Sequence, residues 1–202
     1  MSRIETRGPD RLPPIADAGL TPAQQRAAVG IRSGPRGNLR GPFVPLLRSP
    51  ELMDRIQALG AHIRFGTKLT APARELAILL TARWANCEYE FQAHRKVGLE
   101  AGLASAKIDA VGLGRTPEGL TAEETLVHDV VTELLSAGAL SDATWARGIE
   151  GLGEAGLVDL LALPGYYFML ALVLNSARTP QTGGDPGPFA TDQAWPSKLP
   201  PR

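Results

Sequence analysis

A single cysteine, Cys87, stands among 202 residues, so no intramolecular disulfide can form and a small disulfide-stapled secreted scaffold is excluded. Aromatics are scarce as well, with 3 Trp, 3 Tyr and 5 Phe, and no stretch alternates apolar and polar residues convincingly enough to read as a strand. An excess of one charge sign is also missing. The 21 basic residues balance 21 acidic ones, which argues against a nucleic-acid backbone or an anionic membrane as partner. No run approaches the ~18 consecutive apolar residues of a membrane span. The opening residues, MSRIETRGPDRLPP, carry charges but no apolar centre of a secretory signal, so a cytoplasmic location is expected. There is no GxGxxG, no GxxxxGK[ST] phosphate loop and no GxSxG nucleophile elbow. No grouping of His, Cys, Asp and Glu has metal-ligand spacing, so no metal is expected.

What the chain has in quantity is Ala, Leu and Gly, and the fold expected from them is all-α. Residues 1–20 read as an extended arm, either disordered or laid across a neighbour, and residues 179–202 as a Pro- and Gly-rich tail, flexible or embracing another subunit. Between them, residues 21–178 read as one helical domain. Thr21-Pro22-Ala23-Gln24 and Thr121-Ala122-Glu123-Glu124 are capping-box helix starts. Residues 38–47, with Pro42 and Pro45, read as an ordered apolar loop. Ser49 is expected to cap a helix running to about Phe65, with Leu52, Ile56, Leu59 and Ile63 on its buried face. Asn86 and Ser105 are expected N-caps, Gly102-Leu103 a glycine stop, and separate helices are expected at about 141–149 and 154–177.

Residues 74–102, RELAILLTARWANCEYEFQAHRKVGLEAG, carry the chemistry. Glu75 opens an apolar run, and Cys87, Glu90 and His94 follow at spacings of three and four, which places them on one helix face. A thiol, a carboxyl and an imidazole on one face, with a second acid from a neighbouring helix, make a proton-transfer site. Glu88 competes with Glu90 for the inward position. A histidine or cysteine on such a face also serves as an ordinary core residue, and a first-turn acid also serves the helix dipole. Phe43, Tyr89 and Tyr167 are the candidate substrate-binding aromatics; Tyr166 and Asn175 are further polar groups on the last helix.

On these residues, from Arg74-Glu75 through Asn86-Cys87-Glu88-Tyr89-Glu90-Phe91-Gln92-Ala93-His94 to Ala101-Gly102-Leu103, the chain resembles the carboxymuconolactone decarboxylase and alkylhydroperoxidase D-like family over roughly residues 49–179. The resemblance implies an all-helical bundle that assembles as a homo-oligomer, commonly a trimer or hexamer. In the family's peroxidase branch a cysteine pair cycles through a disulfide while a Glu and a His relay protons; Glu75, Cys87 and His94 fall on that spacing, but Glu90 stands where the second cysteine belongs. The decarboxylase branch, which keeps an acid four residues before the His, is the better match. It implies a cofactor-independent lyase acting on a small carboxylated lactone or related acid of aromatic catabolism, with His94 and Glu90 transferring the proton and Glu75 assisting. Two alternatives stand beside it: a single-cysteine peroxidase using Cys87, with peroxiredoxin-like activity, and a helical oligomer without catalysis.

Overall fold

Ala73 and residues 75–83 are all buried, and a helix apolar on every side has to be surrounded on every side. That helix, α4 (Ala71–Trp84), is the axis of the domain in the computed structural model, which describes residues 8–34, 36–181 and 187–189. Around it pack α5 (Glu88–Glu100), α6 (Ser105–Gly112), α7 (Ala122–Ala137) and α8 (Asp142–Ala177). Ahead of it come α1 (Pro22–Ser33), the single turn α2 (Phe43–Leu46) and α3 (Pro50–Ala61), the last continuing into a π-turn, His62–Gly66. Among the described residues there is no strand, and the fold is all-helical.

Both capping boxes form, with the side chains of Thr21 and Thr121 accepting from the backbone N–H groups of Gln24 and Glu124 and receiving the reciprocal bonds. The Gly102 stop forms too: Leu103 N–H donates to Gly98 O at 2.9 Å. Several expectations are corrected. Asn86 is no N-cap; it takes a left-handed conformation (φ 48°) and closes α4, while Cys87 occupies the N-cap position of α5. Ser105 is the first residue of α6, and Ala104 precedes it as the cap. The proline-containing loop includes one helical turn, α2, because Pro45 lies too early in it to lose an intrahelical bond. Ser49 makes no side-chain cap. The buried face of α3 is Met53, Ile56, Gly60 and, in the π-turn, Ile63, whereas Leu52 and Leu59 are exposed.

The two expected C-terminal helices meet without a loop: α8 kinks at Gly153, whose φ of 69° and ψ of 171° an L-residue avoids. It is long and apolar enough to cross a membrane by length and composition, yet half of its most apolar window is buried inside this domain. The arm, over residues 8–20, makes contacts with its own chain. Arg11 donates from its backbone to Ala177 O at 2.8 Å and from its guanidinium to Ser176 O at 3.1 Å. Of the tail, residues 187–189 fold back, and Phe189 packs on Phe91 with ring centroids 5.0 Å apart and under the guanidinium of Arg83. Pro35, the rest of the arm (1–7) and the rest of the tail (182–186 and 190–202) lie outside the described residues.

Glu124 ties two helices together, accepting from Thr121 N–H at 2.7 Å and from Lys107 Nζ at 2.6 Å. Burial pushes its carboxyl up, but the bonds from Lys107 and Thr121 outweigh that and hold it below the usual carboxylate range. A depressed folded-state value means its stabilisation is complete above the unfolded value and lost as pH falls. Glu124→Ala is therefore expected to cost about 1–2 kcal/mol near neutral pH. Urea melts should show that deficit shrinking towards about pH 3, and a deficit that does not change with pH would contradict the assignment.

Candidate active site

The tight turn between α4 and α5 places Glu75 opposite His94. Ala85 ends α4, Asn86 turns left-handed, and the N–H groups of Asn86 and Cys87 return to Arg83 O and Ala82 O at 3.1 and 2.9 Å. Asn86 suits the position because its short polar side chain tolerates that conformation, and its Oδ1 accepts from the Arg83 guanidinium at 2.9 Å. With the helices so joined, His94 Nδ1 meets Glu75 Oε2 at 2.7 Å, both residues buried. A carboxylate accepts only, so Nδ1 carries the hydrogen and Nε2 is left as the ring's free acceptor. The other oxygen of Glu75 lies 3.9 Å from Arg74 Nε. The arrangement is that of a base whose tautomer and orientation are fixed by a second residue.

Glu90, one turn before His94, has different surroundings. It is buried, its Oε2 has no hydrogen-bond partner among the described residues, and burial pushes its carboxyl well above the usual carboxylate range. Burial therefore favours its protonated form. Glu88, the competing acid, is half-buried and accepts from Gln92 at 3.4 Å, which settles which of the two faces inward. Tyr167 stands edge-on to His94, centroids 5.1 Å apart, and its hydroxyl is also buried without a partner among the described residues.

Cys87 does not join this group. It is fully buried in a small cluster with Ala171 and Leu174, and it is not among the residues that line the cavity. The expected lowering at a helix N-terminus is overridden: burial, then the neighbouring Glu90, push the thiol well above its ordinary value despite backbone bonds that favour the thiolate.

His94, Glu90, Tyr89, Tyr167 and Phe43 all line one cavity of about 790 Å³, with exposed Arg40, Lys96 and Glu100 at its rim. Glu75 stands behind His94. Tyr166, read from the sequence as a polar group on the last helix, also reaches it from α8, as do residues that sequence reasoning passed over: Arg36 from the Gly- and Pro-rich break after α1, and Arg64 and Phe65 from the π-turn. A signal for the two arginines was present, since neither has an acid three or four residues away to pair with.

Residues 50–133 match the model of the carboxymuconolactone decarboxylase family. The likeness covers this segment, which is less than half of the chain. No curated protein matches the chain with significance. The family segment contains Glu75, Glu90 and His94, while Arg36, Phe43, Tyr166 and Tyr167 come from flanks on either side of it.

A buried carboxyl with a raised folded-state value contributes fully below its unfolded value and loses that contribution as pH rises through the folded one. Glu90→Gln, which cannot ionise, is thus expected to lose less stability than the wild type between about pH 6 and about pH 9. Thermal melts across that range check it, and parallel curves would mean that Glu90 is not held neutral.

Proposed function

We propose that the cavity decarboxylates a small carboxylated lactone or related activated acid without a cofactor. The observation that carries this reading is a buried Glu90 carboxyl, its Oε2 without a partner among the described residues, on the wall of the same cavity as a His94 ring oriented by Glu75. The volume fits the range of small-molecule sites. In the proposed reaction the bond between the ring carbon and its carboxylate breaks, CO2 leaves, and the electron pair passes into the conjugated carbonyl of the substrate. Glu90 then gives its proton to the resulting dienolate carbon, and His94 Nε2 returns a proton to Glu90 from the solvent side. The hydroxyl of Tyr167 is a donor for the developing enolate oxygen. The match of residues 50–133 to the family model supports a function of this kind at the level of the family.

The peroxidase alternative needs an accessible thiolate, and burial and a raised thiol count against it. The alternative without catalysis requires a sealed and fully paired cluster, whereas Glu90 and Tyr167 border open volume with polar atoms to spare. The exposed Leu52, Leu59, Phe168 and Leu172 support a homo-oligomer, the trimer or hexamer of the resemblance.

Incubating the protein with carboxymuconolactone and following CO2 release tests the proposal. His94→Gln is expected to lower turnover by roughly 10²–10⁴-fold with an unchanged helical circular-dichroism spectrum, and Cys87→Ala to stay within a few-fold of wild type. Near-normal turnover in His94→Gln would overturn the role of His94, and peroxide consumption lost in Cys87→Ala would favour the thiol chemistry instead.

A further inference from the structure

Five basic side chains line the cavity, and the described residues neutralise only two of them. Arg95 pairs with Asp109, and Lys96 lies 4.0 Å from Glu100. Arg36, Arg40 and Arg64 have no acidic partner among the described residues. Arg40 is exposed, where water suffices, but Arg36 and Arg64 are half-buried.

Both of these guanidinium groups are held in place by rings. Arg36 sits 4.7 Å above the centroid of Phe43 and reaches Tyr166 Oη at 3.4 Å, and Arg64 lies 5.3 Å from the centroid of Phe65. The backbone is shaped around them. At Gly60 on α3 a Cβ would stand 2.0 Å from Tyr166 Oη and 2.5 Å from an Arg36 nitrogen, so only glycine lets that pair lie against the helix. The π-turn that follows adds the residue that swings Arg64 and Phe65 to the cavity. The charge of Arg64 is felt at both tyrosine hydroxyls and that of Arg36 at Tyr166. From His94, Arg36 is reached across two edge-to-face rings, Tyr167 and then Tyr166, so imidazole and guanidinium serve different parts of a ligand. Tyr167 also lines the cavity, and its buried hydroxyl has no hydrogen-bond partner among the described residues.

We propose that Arg36 and Arg64 form an anion-binding subsite, distinct from the proton-transfer residues, that holds a carboxylate of a planar unsaturated ligand between Phe43 and Phe65. A planar guanidinium matches a carboxylate with two parallel N–H···O bonds, and the flanking rings favour a flat ligand. The inference rests on the proposed function for the choice of cavity only. Three of the subsite's members, Arg36, Phe43 and Tyr166, lie outside the family segment, so the subsite is what this chain adds to it.

The test reads binding without turnover. Benzoate and its uncharged isostere benzamide are titrated calorimetrically into the full-length protein. Wild type is expected to prefer benzoate by at least about tenfold, with the preference shrinking at high salt. Arg36→Gln and Arg64→Gln should each remove most of the preference while leaving benzamide binding unchanged, and Arg64→Lys should restore part of it. Gly60→Ala, which keeps both charges but displaces Arg36, should weaken benzoate alone. Thermal melts establish that each variant is folded, and Arg64→Gln, at a less enclosed position, stands if Gly60→Ala is not. Equal affinities, no benzoate binding, or a preference that survives the double Arg36→Gln/Arg64→Gln variant would overturn the subsite. His94→Gln separates the two readings: it should keep the preference while losing turnover. A protein that turns over carboxymuconolactone with no charge preference would sink the subsite alone.

Discussion

The hydrogen bond between His94 and Glu75 is the constraint around which the domain is arranged. Glu75 is one of two charged residues buried in α4, a helix otherwise packed with Leu, Ile and Ala. A carboxylate buried there without a partner would cost several kcal/mol, so α5 has to present His94 at one particular height. The left-handed Asn86 sets that height by ending α4 and starting α5 within three residues. The other buried charge, Arg83, serves the same turn: it donates to Asn86 and, at 3.1 Å, to Gly112 O at the end of α6. The two charged residues of the central helix are therefore both committed, one to the site and one to the turn that builds it.

The two buried carboxyls of α4 and α5, Glu75 and Glu90, have unlike environments. Glu75 is flanked by His94 and Arg74, whereas Glu90 has apolar burial and no partner on Oε2. Such a separation assigns roles, an orienting acceptor behind the ring and a proton donor in front of it. Leaving Glu90 and Tyr167 unsatisfied costs the fold about 1–3 kcal/mol for each group. Both orphans border one cavity, which is where a fold retains such a cost when a ligand is to relieve it.

Much of this was legible in the residues. Capping boxes are local chemistry, so Thr21-Gln24 and Thr121-Glu124 could be read directly, and the spacing of Glu90 and His94 needed only helical geometry. Asn86 was misread because a cap and a left-handed stop favour the same residue type, and only the return of Cys87 N–H to Ala82 O distinguishes them. The face of α3 was misread for a different reason. Leu52, Ile56, Leu59 and Ile63 and the observed Met53, Ile56, Gly60 and Ile63 are both helical stripes, and the choice is decided by Tyr166 and Arg36, which need the missing side chain of Gly60. The contacts of Tyr166 with Gly60 and Arg36 join residues more than a hundred positions apart, as do those of Arg11 with the end of α8. Patterns within a window of sequence carry no trace of them.

The position of Glu90 joins the chemistry that the site favours to the chemistry it has given up. By the resemblance, a peroxidase would carry its second thiol there. A carboxyl at that place removes the partner with which Cys87 would close a disulfide, and its proximity also raises the remaining thiol, adding to the effect of burial. The same burial favours the protonated form of Glu90. In the proposed reaction one residue therefore disfavours the thiolate and serves as the proton donor. The scaffold that positions Glu75 against His94 needs no change between the two uses, because an oriented imidazole serves thiol and carbon acids alike. What must differ is the shape and charge of the cavity, and about half of its lining here, Arg36, Phe43, Tyr166 and Tyr167 included, is drawn from the flanks of the matched segment.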